Sequence, residues 1–129
     1  IELLGSGTPV GKEYAAAALW GLAVNDDNKV AIARAGGLAA LIELLGSGTP
    51  EGKEHAAVAL QNLSGNAENA VAIARAGGLA PLIELLGSGT PVGKEYAAAA
   101  LWGLAVNDDN KVAIARAGGL AALIELLGS

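Results

Sequence analysis

Residues 42–82 read IELLGSGTPEGKEHAAVALQNLSGNAENAVAIARAGGLAPL, and the chain is this stretch told three times. IELLGSGTP starts at Ile1, Ile42 and Ile83, a step of 41 residues, and IELLGS returns at Ile124. A fixed period of this size marks stacked units that bury their apolar faces against one another, because one unit cannot bury its own. The division expected is one solenoid domain over 1–129, with units 1–41, 42–82 and 83–123 and a partial fourth at 124–129.

Each unit predicts three helices. In the first unit, Thr8-Pro9 reads as an N-cap followed by proline at the first helical position. It opens a long helix to about Val24, with Ala15, Ala18, Leu19 and Leu22 on one buried face at helical spacing. Asn25-Asp26-Asp27 supplies the cap and first-turn acids of a short helix, about Asp27 to Ala35. Gly36-Gly37 makes a sharp corner. Leu38 to Leu45 forms the third helix, with Leu38, Leu41, Ile42 and Leu45 as its stripe. Gly46-Ser47-Gly48 closes it before Thr49-Pro50. Residues Ile1 to Leu4 copy Ile42 to Leu45, so the chain opens in mid-helix. No stretch alternates with period two over a strand's length, so no sheet is expected.

Composition narrows the function. Of 129 residues, 53% are hydrophobic and 3% aromatic, with no Phe, so the core must be Leu, Ile, Val and Ala. A net charge of −5 argues against the basic stripe of a nucleic-acid binder and leaves a mild bias toward basic partners. There is no Cys, which removes disulfides and thiolate metal sites. No apolar run reaches the roughly 18 residues of a membrane-spanning helix, and no leader pattern is visible.

Three motifs resemble chemistry and fail on inspection. Residues 5–12, GSGTPVGK, look like a phosphate loop. Ser6 stands where the first glycine is needed, Glu13 where a Ser or Thr must hold magnesium, and no strand precedes it. His55, the one histidine, is replaced by Tyr14 and Tyr96 in the other units and has no ligand cluster at metal spacing. Asn62-Leu63-Ser64 matches a glycosylation sequon but lies inside a helix. The expectation is no catalytic residue, no metal, no cofactor and no enzymatic activity.

The short helix with its VAIARAGG corner, the LAxLIELLGSG helix and the long helix ending ALxxL together resemble the armadillo repeat. The resemblance covers the whole chain and implies an all-α, right-handed superhelical solenoid of about three repeats. Armadillo proteins lay extended peptides along a concave groove lined by their third helices. By that resemblance the groove would be lined by Glu13, Glu54 and Glu95, by Ala17 and Val58, by Trp20, Gln61 and Trp102, by Val24 and Val106, and by Asn62. Trp20 and Trp102 match the tryptophan of the importin-like branch, whose asparagine one turn later is here Val24, Gly65 and Val106. Asn62 matches the asparagine of the catenin-like LxNL pattern, with Gly21 and Gly103 in its place in the outer units.

The chain also compares itself with itself. Residues 1–47 and 83–129 agree at all 47 positions, whereas the middle unit differs from its neighbours at 11 of 41. Five of these differences, at 10, 14, 17, 21 and 24 of the first unit, are spaced 4, 3, 4, 3 and form one stripe on the long helix. That stripe points away from the invariant face. Such identity between separated repeats suggests an idealised or engineered scaffold whose main property is to fold and stack. The alternative is a fragment of a natural adaptor that binds an extended peptide. Either way the Leu120–Leu127 segment should pack on the Thr8–Val24 helix of a second copy, giving end-to-end oligomers, with the stub Ile1 to Leu4 competing for the same place. No nucleic-acid or membrane partner is expected.

Overall fold

The computed structural model describes residues 7–128, and the stub Ile1 to Leu4 lies outside them. Among the described residues there are nine helices and no strand. The first unit supplies α1 (Pro9–Leu22), α2 (Asp26–Arg34) and α3 (Gly37–Ser47). The second supplies α4 (Pro50–Leu63), α5 (Ala67–Arg75) and α6 (Leu79–Ser88). The third supplies α7 (Pro91–Leu104), α8 (Asp108–Arg116) and α9 (Gly119–Leu127).

Local chemistry sets every helix start. Thr8, Thr49 and Thr90 are extended N-caps whose hydroxyls accept from the N–H of Gly11, Gly52 and Gly93, each with Pro just inside the helix. Asn25, Asn66 and Asn107 cap the short helices through the N–H of Asn28, Asn69 and Asn110. Each short helix carries acid in its first turn and Arg in its last, which suits the helix dipole.

The glycine pair turns the chain by 79° between α2 and α3 and by 81° between α5 and α6. Gly77 takes φ +88°, its N–H donates to Ala74 O, and Gly78 N–H donates to Ile73 O. This is a Schellman closure, which relieves the last orphan carbonyls of the short helix. Gly77→Ala should therefore cost about 1–2 kcal/mol, since a side chain is strained in the left-handed region. Gly87→Ala, in ordinary helix with no atom within 4 Å of a new Cβ, should be neutral or slightly stabilising. Thermal unfolding of the two variants side by side checks this.

The long helices stack directly, α1 on α4 and α4 on α7, and α3 and α6 pack against the long helix that follows each. The predicted face is fully buried in the middle unit at Ala56, Ala59, Leu60 and Leu63. A second face, not foreseen, is also buried. Ala16, Ala23 and Ala57 are wholly enclosed at the junctions, because small side chains let neighbouring helices approach closely. Leu44 and Leu85 join the predicted stripe of the third helix.

Identical residues differ in burial according to the unit they occupy. Leu22 is 52% exposed and its copy Leu104 is 0% exposed. Leu45 is 2% exposed and its copy Leu127 is 87% exposed. Leu22 and Leu104 lie in long helices of identical sequence, so their difference reflects the neighbouring layer.

Candidate functional site

The variable stripe of the long helix emerges largely at the surface. Val10, Tyr14 and Val24 of α1 and its cap are exposed, as are Val92, Tyr96 and Val106 around α7. Trp20 and Trp102 hold the same position on the two outer long helices, 36% and 77% exposed, with half-buried Gln61 between them in sequence register. Ala17 is half-buried, and Val58 in its place on α4 is buried, filling space between layers. The outer long helices thus present two exposed tryptophans at the edge of the stripe, which itself carries Tyr14 and Tyr96.

Two of the polar candidates are hydrogen-bonded across the junctions. Asn62 Nδ2 donates to Trp20 O at 3.0 Å. Glu54 Oε2 accepts from the Thr90 hydroxyl at 2.6 Å, beside the N-terminus of α7. Glu13 lies against Gly52 at the start of α4, while Glu95 is exposed. Glu13 and Glu54 therefore lie near the positive end of the next long helix, where a negative charge is favoured.

A second polar ladder escaped the sequence reading. Asn69 Nδ2 donates to Lys29 O at 3.1 Å. Asn110 Nδ2 donates both to Ala70 O at 3.1 Å and to Leu104 O at 3.0 Å. Asn28 Nδ2 reaches Leu22 O at 3.1 Å. The invariant asparagine thus ties the short helix to the short helix before it at Asn69, to the end of the long helix at Asn28, and to both at Asn110. The signal available in the sequence was an asparagine kept in all three units two residues before an apolar position, in a segment where its neighbours change.

Among the described residues, no group of three or more His, Cys, Asp or Glu side chains could hold a metal ion. No single helix is long and apolar enough to cross a membrane. At the second junction a cleft opens between Ser64, Gly65, Ala67, Ala70, Gly103 and Val106.

The Armadillo/β-catenin-like repeat family matches residues 25–65 and 66–106, counting each repeat from the short helix. No curated protein matches the chain significantly. Among solved structures, an engineered protein superposes with a TM-score of 0.95 at 36% identity, over 99% of this chain and 53% of its own. A designed armadillo repeat protein in complex with the peptide (KR)4 superposes with a TM-score of 0.93 at 27% identity, over 99% of this chain and 55% of its own. A computationally designed armadillo repeat protein for modular peptide recognition gives a TM-score of 0.94 at 29% identity, over 99% of this chain and 55% of its own. The chain spans about half the length of these structures.

Proposed function

Because the chain belongs to the armadillo repeat family, we propose that it is a non-enzymatic, idealised repeat scaffold whose long-helix stripe takes an extended peptide and whose ends stack on further copies. The observation that carries the peptide reading is the pair of exposed tryptophans at equivalent positions, Trp20 and Trp102. Exposed tryptophan is a strong anchor for partner side chains, and its face attracts Lys and Arg. A net charge of −5 favours a basic peptide over an acidic one. The similar designed protein solved with (KR)4 supports the same choice. Asn62 is engaged with Trp20 O, so affinity would rest on the aromatic faces more than on a ladder of amide contacts to the peptide backbone.

Trp20 and Trp102 are the two tryptophans of the chain, which makes their fluorescence a direct reporter. Titration with (KR)4 should give a saturable change in tryptophan emission, weakened by Trp102→Ala. An emission spectrum that does not move up to about millimolar peptide, the weak end of specific binding, would reject the groove reading.

The stacking part rests on the end faces. Leu120, Ile124 and Leu127 are exposed on α9, whereas their first-unit copies Leu38 and Leu45 are buried and Ile42 is half-buried. At the other end α1 exposes Leu22. Contiguous apolar faces of this kind mark interaction sites. Here the complementary face is present on the same molecule. The arrangement is heterologous, so it leads to open chains of molecules rather than closed dimers.

A further inference from the structure

The two junctions satisfy the same carbonyl in two different ways. Residues 20 and 61 are equivalent positions in the last turn of their long helices, where backbone carbonyls run out of intrahelical donors. At the first junction Asn62 Nδ2, from the following unit, donates to Trp20 O at 3.0 Å. At the second junction Ser64 Oγ, from the same unit, donates to Gln61 O at 2.6 Å. The residue of α7 at the position of Asn62 is Gly103, and a Cβ there would stand 2.5 Å from Ser64 Oγ. The two solutions therefore compete, because a Cβ at residue 103 would have to displace the Ser64 hydroxyl from its place on Gln61 O. A serine at the end of the leading unit is matched by glycine in the following one. An alanine there, Ala23, leaves the carbonyl to an incoming asparagine.

A second pair follows the same rule. Lys29 of the first unit extends over Gly65 of the second, where a Cβ would lie 3.1 Å from its Nζ. At the next junction the lysine is replaced by Ala70 and the glycine by Val106, and both line one cleft. Large meets small in each case, with the roles exchanged.

We propose that the alternation of repeat types is a pairing code, and that the open face of the third unit is a docking surface for an armadillo repeat of the middle type. That face carries Trp102, Ala105 and Lys111 where the first unit carries Trp20, Ala23 and Lys29. A middle-type repeat brings the donor at the position of Asn62 that now reaches Trp20 O and glycine at the position of Gly65, whereas the asparagine at the position of Asn69 is common to every unit. The first unit of a second copy brings Gly21 and Val24 instead: no donor for Trp102 O, and a branched side chain against Lys111. A middle-type unit following another would set the Cβ of its asparagine against the serine hydroxyl. The rule stands on the two internal junctions. Its extension to contact between molecules rests on the stacking reading above.

Thermal midpoints of full-length variants test the rule. Gly103→Asn should lower the midpoint by roughly 4 °C or more. Gly21→Asn, with nothing within 4 Å of a new Cβ, should not lower it. Ser64→Ala combined with Gly103→Asn should return the midpoint to the parent value or above, because the new carboxamide can take over Gln61 O. The rule is overturned if Gly103→Asn is harmless with Ser64 in place, or equally harmful without it. Gly21→Asn with Val24→Gly then gives the first unit the middle-type face at two exposed positions. Light scattering should find this variant assembling at concentrations about tenfold lower than the parent chain, a gain of about 1.4 kcal/mol. Assembly no stronger than the parent's, including none in either, overturns the docking face while leaving the internal rule to the midpoints.

Discussion

Leu60→Ala is expected to destabilise the chain by roughly 2–5 kcal/mol, the range for truncating a buried leucine in a core that relaxes only in part. Leu60 is 0% exposed in α4, the long helix with a long helix packed on each side. Domains of this size hold only about 5–15 kcal/mol in total, so the loss is a large share. Chemical unfolding followed by circular dichroism reads it. Leu104→Ala and Leu22→Ala sharpen the comparison, since these residues have identical neighbours in sequence and opposite burial. Leu104→Ala should fall in the same range and Leu22→Ala well below it. Equal costs at the two sites would mean that burial by the neighbouring layer does not hold the stack together.

Asn110→Ala is the second large effect. The side chain is buried and donates to two carbonyls, Ala70 O and Leu104 O. Its removal deletes two hydrogen bonds at about 0.5–1.5 kcal/mol each, while Leu104 O keeps the N–H of Asn107. Asn28→Ala removes a single bond to Leu22 O at a half-exposed site, where water can take over, and should cost about 1 kcal/mol or less. Hydrogen exchange adds a spatial readout. Asn110→Ala should loosen the third unit first, because repeat arrays come apart by units rather than all at once. Uniform loss of protection across all three units would contradict a role confined to the second junction.

The features legible in the sequence are those whose partners lie within a few residues. Thr8-Pro9, Asn25 with its acids, and Gly36-Gly37 each act on backbone one turn away, so helix starts and corners could be read directly. The Leu38–Leu45 stripe could be read because leucines stand out against glycine and alanine. The long helix was harder. Ala15 to Ala18 are all alanine, so its two buried faces have no contrast, and the face of Ala16 and Ala23 stayed hidden. The roles of Asn28, Asn69 and Asn110 also stayed hidden. Asparagine at a helix start reads as a local cap, whereas Asn69 and Asn110 each reach an acceptor 40 residues away. The same holds for Asn62 and Glu54, which the groove reading selected as side chains without indicating their bonds to the adjacent unit. Nor could identical copies reveal which of them would be covered.

Equivalent faces are buried wherever a neighbouring layer is present and exposed at Leu22 of α1 and along α9. Molar mass in solution, by size-exclusion chromatography with light scattering over a range of concentrations, tests this most directly. The chain should run at 12.6 kDa when dilute and climb in mass as concentration rises. The exposed-site variant Ile124→Lys with Leu127→Lys should stay at the monomer mass throughout. A parent chain that remains at 12.6 kDa at every concentration, or a variant that assembles as the parent does, would contradict the account.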